Sequence, residues 1–180
     1  IGINAAADWE IDADQRYIES ANGYDLDLDQ FEHLTGGSQD DVFVILAAHT
    51  GRLDGGAGTG YDSLDYSAYG TAFDVVLTGL GSSDGFAGVE NNGSLSDGFD
   101  NINNLIGGAI DDALTGMDVP YIWNISSSLN QYVFGTNAID FDHVEQINGG
   151  SGDDTFNILE SGIYWLFGGN GDDLFVFSDG

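Results

Sequence analysis

The sequence has no cysteine and no lysine, and its 180 residues include two arginines (Arg16 and Arg52), one proline (Pro120) and one methionine. The missing cysteines exclude a disulfide framework and any thiol chemistry. The scarcity of cations excludes nucleic acid as a partner, because two arginines cannot neutralise a run of phosphates. No stretch approaches roughly eighteen consecutive apolar residues, so no segment reads as a membrane-spanning helix and no membrane insertion is expected. No basic targeting run or lipidation motif is visible.

Acid and glycine are abundant. The formal net charge is −29, and of the 31 acids 25 are Asp and only 6 are Glu. Glu is the acid of surfaces and helices, whereas Asp suits turns and hard-cation sites. A halophilic surface would recruit Glu as well. Glycine numbers 28, yet 42% of residues are hydrophobic and 12% aromatic, which disfavours an acidic disordered chain and leaves enough apolar residues for a core.

The chain repeats itself. Residues 28–46 (LDQFEHLTGGSQDDVFVIL) align with 141–159 (FDHVEQINGGSGDDTFNIL) at a shift of 113 residues, and 14 of the 32 positions from Asp29 to Gly60 are identical without a gap. Upstream, residues 1–11 match 115–125 with a one-residue slip that sets Trp9 against Trp123. The chain therefore reads as one continuous unit, residues 1–180, holding about 1.6 copies of a 113-residue repeat. Residues 1–35 end one copy, 36–148 form a full copy and 149–180 begin the next, as expected of a segment from a longer tandem array.

A shorter pattern lies inside that repeat. Asp, any residue, apolar, Glu or Asn, any residue, apolar, any residue, Gly-Gly runs from Asp29 to Gly37, from Asp100 to Gly108 and from Asp142 to Gly150. Alternation of apolar and polar positions signals a strand, and the glycine pair ends it in a turn. Further strand-like stretches are 16–20, 42–46, 73–78, 121–126, 131–135, 155–158, 163–167 and 174–177. No segment has a helical period of useful length, so the chain reads as all-β.

Five segments share one turn grammar, beginning at Gly36, Gly55, Gly107, Gly149 and Gly168. GGSGDDTFN (149–157) and GGNGDDLFV (168–176) match Gly-Gly-x-Gly-x-Asp-x-apolar-x at every fixed position. Glycines permit the positive φ that turns carbonyls toward one point. The sixth-position aspartate adds carboxylate oxygens, and calcium takes six to eight oxygens at about 2.3–2.6 Å. One such turn cannot fill that shell, but two stacked turns can. The 36/55 and 149/168 pairs are each 19 residues apart, which stacks Asp154 under Asp173 and Asp41 under the region of Asp62. Gln39 and Ile110 replace the fourth-position glycine in two of the turns. The candidate calcium ligands are Asp41, Asp62, Asp112, Asp154 and Asp173 with the turn residues Gly37, Gly150, Gly152, Gly169 and Gly171. Asp40, Asp111, Asp153 and Asp172 are expected to face solvent or to support those ligands.

These nonapeptides resemble the calcium-binding repeats of RTX (hemolysin-type) proteins, and the glycine-rich blocks around them are similar in style to the repeat regions of very large secreted or cell-surface bacterial proteins. The resemblance implies a right-handed parallel β-solenoid (β-helix or β-roll) with stacked Gly/Asp-rich turns, several bound calcium ions, folding coupled to calcium outside the cell, and an extracellular or cell-surface location. It implies no single activity, since toxins, proteases, epimerases, adhesins and S-layer proteins all carry such repeats. Coils of about 19–26 residues are expected, with GLGSSDGFA (79–87) as one degenerate turn.

Catalysis is not expected. Enzymes of this architecture that act on acidic polysaccharides need cations against substrate carboxylates, yet Arg52 aligns with Trp165 in the second copy. His33, His49 and His143 align with Gln146, Gly162 and Gln30, so no histidine recurs. The expected function is a structural, calcium-binding stalk or filament segment of an extracellular bacterial surface or adhesin protein. Its expected partners are neighbouring repeats or other copies of itself. A carbohydrate-binding adhesin module is the alternative, with Trp9, Trp123, Trp165, Tyr66, Tyr69 and Tyr164 as a platform for an extracellular glycan. A polysaccharide-modifying enzyme is the more remote one.

Overall fold

A computed structural model describes residues 1–19, 21–159 and 164–178. Every regular element among them is a β-strand. The first seven are β1 (Ala7–Ile11), β2 (Arg16–Glu19), β3 (Tyr24–Asp27), β4 (His33–Thr35), β5 (Asp41–Ile45), β6 (Arg52–Asp54) and β7 (Ser63–Asp65). Five follow: β8 (Asp74–Leu80), β9 (Phe86–Glu90), β10 (Phe99–Ile102), β11 (Asn104–Ile106) and β12 (Ala113–Thr115). The last seven are β13 (Ile122–Ile125), β14 (Asn130–Phe134), β15 (Asn137–Asp142), β16 (Gln146–Asn148), β17 (Thr155–Ile158), β18 (Trp165–Phe167) and β19 (Leu174–Phe177). The expected strands 16–20 and 163–167 are thus β2 and β18, Ser20 and Ile163 lying outside the described residues.

Two sheets result. One has the order β3-β2-β1-β5-β7-β11-β15-β14-β13-β17-β19, and the other β4-β6-β10-β9-β8-β12-β16-β18. The chain passes from one sheet to the other after each of the single strands, and strands from successive windings pair in parallel, as β1 with β5 and β12 with β16. Three triplets break the rule. β1–β3, β8–β10 and β13–β15 are antiparallel meanders, each held in one sheet.

The sheets are therefore mixed, which corrects the expectation of purely parallel strands. Alternation has a two-residue period in parallel and antiparallel strands alike, so the pattern could not distinguish them. Coil lengths are corrected with it. His33 lies opposite Arg52, 19 residues on, but Phe73 meets Asp112 39 residues on, because a meander occupies the coil between them. Residues 79–87 form the hairpin between β8 and β9 rather than a degenerate coil turn.

Each meander runs backward along its sheet. The chain enters at β8, fills two rows through β9 and β10 to meet β6, and then leaves for β11 beside β7. Strands β13–β19 reproduce the sheet order of β1–β7, so the pattern recurs every twelve strands, six in each sheet. At about 4.8 Å per strand that is an axial rise of about 29 Å per repeat.

The core recurs as well. Trp9 meets Tyr17 at 4.5 Å and 59°, and Trp123 meets Tyr132 at 4.5 Å and 58°. Parallel pairing then stacks the tryptophans on Phe43 and Phe156, with centroids 5.7 and 5.8 Å apart. Phe86 on β9 of the second sheet touches Tyr132 on β14 of the first, so the apolar faces of the sheets meet. Trp123, Phe43, Phe86 and Phe156 are fully buried. Such aromatic pairs contribute about 0.5–1.5 kcal/mol each beyond the area they bury.

Candidate metal centre

The glycine pairs lie at the ends of short strands, where the chain turns toward the other sheet. At each of the five turns the sixth-position carboxyl, or Asp62 in the second, folds back onto the first glycine. A Cβ on Gly36 would lie 2.3 Å from the Gly55 carbonyl and 2.5 Å from Asp41 Oδ2; one on Gly149 would lie 2.3 Å from the Gly168 carbonyl and 2.5 Å from Asp154 Oδ2. Only glycine fits, because the neighbouring backbone and the carboxylate share the space a side chain would need. Gly150, Gly169 and Gly171 have φ of +101°, +94° and +127°, the left-handed side that such a turn requires.

The aspartates are stacked in ladders. Asp41 N–H donates to Asp62 Oδ1 at 2.8 Å, and Asp154 N–H donates to Asp173 Oδ1 at 3.0 Å. One row further along, Tyr121 N–H donates to Asp154 Oδ1 at 2.9 Å. In the other sheet Phe73 N–H donates to Asp112 Oδ1 and Asp112 N–H donates to Glu145 Oε2. Each carboxylate thus takes up the backbone donor that begins the strand one row away. Glu145 and Asn103, which accepts from Asp62 N–H, extend the ladders; both were missed because neither stands at the aspartate position of a nonapeptide.

Burial separates these aspartates from solvated turns. Asp41, Asp62, Asp112 and Asp154 are at most 3% exposed, whereas Asp40, Asp111, Asp153 and Asp172 are exposed and Asp173, near the end of the first sheet, is half-buried. Burial pushes the carboxyls of Asp41 and Asp154 up to about 6 and that of Asp62 up to about 7, and it raises Asp112 as well. A neighbouring carboxylate adds to this at Asp62, from Asp41, and at Asp154, from Asp173. A buried carboxylate needs donors, a proton or a cation.

The ladders differ in how far that need is met. Asp41 Oδ2 accepts from Gly37 N–H, and Asp112 Oδ2 from Gly108 N–H, both at 2.6 Å. Trp9 Nε1–H adds a long contact of 3.4 Å to Asp41 Oδ1. In the second copy Gly150 N–H turns instead to Asn148 Oδ1 at 3.1 Å. Asp154 Oδ2 and Trp123 Nε1 are left buried with no hydrogen-bond partner. An orphaned carboxylate oxygen beside a carbonyl, in the turn of a fault-free nonapeptide, fits a hard cation. Among the described residues the acids meet here as a pair, so carbonyl oxygens would have to complete a calcium shell.

The remaining candidates are spread over the fold. Arg16 is held by both carboxylate oxygens of Asp25, at 2.8 and 2.7 Å, and by Glu10 at 3.3 Å, while Arg52 pairs with Asp100. Both guanidiniums are engaged by the chain's own carboxylates. His49 is buried between Gln15 and the Glu32 carbonyl. Trp9, Trp123 and Tyr66 lie in the core, Tyr69 and Tyr164 are half-buried, and Trp165 is 55% exposed, so these aromatics form no common exposed face. Neither the protein-family models nor the curated proteins compared with the chain match it, and the resemblance to RTX repeats rests on the turn motifs.

Proposed function

We propose that the chain is a structural, calcium-binding segment of a right-handed β-solenoid rod, part of an extracellular bacterial surface or filament protein. The observation that carries this reading is the orphaned Oδ2 of Asp154 in a ladder that ends on Asp173. Calcium would be held there by the carboxylates of Asp154 and Asp173 with carbonyls of the glycine turns, Gly150, Gly152, Gly169 and Gly171 among them. It would neutralise carboxylates that burial otherwise penalises, and it would join two windings. Asp41 and Asp112, whose carboxylate oxygens each already accept from an N–H donor, serve chiefly as hydrogen-bond acceptors that hold the turns.

The reading is also supported by the charge of −29 and by a core that repeats with the sequence. Self-repulsion opposes compaction when calcium is scarce and is relieved when it is abundant. No catalytic role is proposed, since both arginines are bound to carboxylates. The test is calcium binding by isothermal titration, with magnesium as control. Asp154→Asn is expected to weaken the tightest site at least tenfold, while Asp41→Asn leaves its affinity within about twofold. Equal effects of the two variants, or no calcium-selective binding, would remove the proposal.

A further inference from the structure

Strands β3 and β4 each have one free edge. β3 pairs with β2 and β4 with β6, and among the described residues neither has a further strand beside it. Between them lies an apolar groove of about 420 Å³, floored by Trp9, Tyr17 and Leu34 and rimmed by Tyr24, Leu26 and Phe31. Tyr24, Leu26 and Phe31 are 47%, 48% and 53% exposed.

The second copy of the repeat contains the same place, filled. β15 and β16 are the counterparts of β3 and β4, and they carry β11 and β12 on the corresponding edges. Leu105 there faces Phe141, the counterpart of Leu28, and Leu114 faces Ile147, the counterpart of Leu34. Phe86 covers Tyr132, the counterpart of Tyr17, at 5.6 Å. Among the described residues no equivalent of Phe86, Leu105 or Leu114 lies over the groove of the first copy.

The first residues already follow the path such an occupant would take. Gly2 N–H donates to the Thr35 carbonyl at 2.7 Å, as Gly116 N–H donates to the Asn148 carbonyl at 2.8 Å. Ile3 N–H donates to the Tyr17 hydroxyl at 3.3 Å, as Met117 N–H donates to that of Tyr132 at 2.8 Å. Gly2 therefore stands where Gly116 stands, just past the end of β12, and the backbone at Ile1 points along the free edge of β4.

We infer that the β3–β4 groove is the seat of strands β8–β12 from another copy of the 113-residue repeat, with β11 on β3, β12 on β4 and the Phe86 of that copy over Tyr17. The inference rests on reading the chain as a stretch of stacked rod, and it does not depend on calcium. A second copy of the block that already fills this place inside the chain supplies the matching register and side chains, so no other partner is needed.

The experiment compares the 180-residue chain with a chain that carries a second copy of residues 66–114 directly before Ile1, which puts Ile1 in the place of Thr115. Hydrogen exchange is read at residues 24–27 and 33–35, in calcium and in chelator. Amide exchange there is expected to slow at least tenfold in the extended chain relative to the parent under the same conditions. One extra residue at the junction flips the faces of the added strands and is expected to abolish the gain. Protection that ignores the extra residue, or no protection in the extended chain, overturns the inference. If the extended chain loses the protection of β5 and β13, the segment is attached through a flexible Gly/Ser linker instead. Protection of β3 and β4 in that format supports the seat, and its absence overturns it. A failure of calcium binding would change parent and extended chains alike and leave this comparison intact.

Discussion

The backbone N–H of Asp154 donates to Oδ1 of Asp173 at 3.0 Å, while Oδ2 of Asp154 itself is buried without a partner. The corresponding oxygen of Asp41, one repeat earlier, accepts from Gly37 at 2.6 Å. Two copies of one turn have thus solved the same problem of a buried carboxylate in different ways. In one the backbone donates to Oδ2, and in the other that oxygen is left without a partner.

Without metal, acid should stabilise this protein. The carboxyls of Asp41, Asp62 and Asp154 lie near 6, 7 and 6 in the fold against an ordinary value of 3.8. The folded state therefore binds more protons than the unfolded chain between about pH 4 and pH 7, and stability falls as pH rises through that window. The full displacement corresponds to about 3–4 kcal/mol per group, which solvent screening reduces to on the order of 1–2 kcal/mol. Melting in chelator should give a higher Tm at pH 5 than at pH 8, and calcium should narrow the gap by raising the pH 8 value. A Tm that rises from pH 5 to pH 8 in chelator would count against burial of these carboxylates.

Glycine replacements should divide sharply by position. Gly36→Ala and Gly149→Ala place a methyl group 2.3 Å from a carbonyl oxygen, and each should cost about 3 kcal/mol or more. Gly70→Ala and Gly79→Ala meet nothing within 4 Å and should be neutral or gain a few tenths of a kcal/mol. Denaturant midpoints measure both classes.

One position in the Asp29, Asp100 and Asp142 motifs carries backbone strain. The residue after each aspartate is left-handed, with φ of +58° at Gln30, +56° at Asn101 and +52° at His143. Asparagine tolerates this region better than glutamine, and every side chain tolerates it less well than glycine. His143→Gly should therefore stabilise the fold by about 0.5–1 kcal/mol, since the side chain is exposed and relief of strain outweighs the added chain entropy. Asn101→Ala should destabilise it, because the Asn101 amide also binds Asp54 and the Ser82–Asp84 loop. Thermal melts of the two variants provide the comparison.

Much of this arrangement is legible in the sequence because the repeat is. The 113-residue shift pairs Trp9 with Trp123, and the structure gives both the same tyrosine neighbour and the same angle. The 19-residue spacing brings Asp154 to Asp173. The meanders were hidden, since β2 and β14 alternate like any other strand. Their turns offered the one available signal. Gly23 at φ +77° and Gly135 at φ +61° make tight hairpin turns where no Gly-Gly motif stands. The differing fates of Asp41 and Asp154 were not legible, because they depend on whether the second glycine N–H turns to the aspartate or to Asn148.

The measurement that tests calcium-coupled rigidity most directly is a calcium titration of chelator-treated protein at pH 7.5, followed by far-UV circular dichroism and melting temperature with magnesium as control. A calcium-specific gain in β signal, or a rise in Tm that grows with calcium concentration, is the predicted result. A full β spectrum in chelator with a Tm that calcium leaves unchanged would contradict it, and the aspartate ladders would then be hydrogen-bonding devices alone.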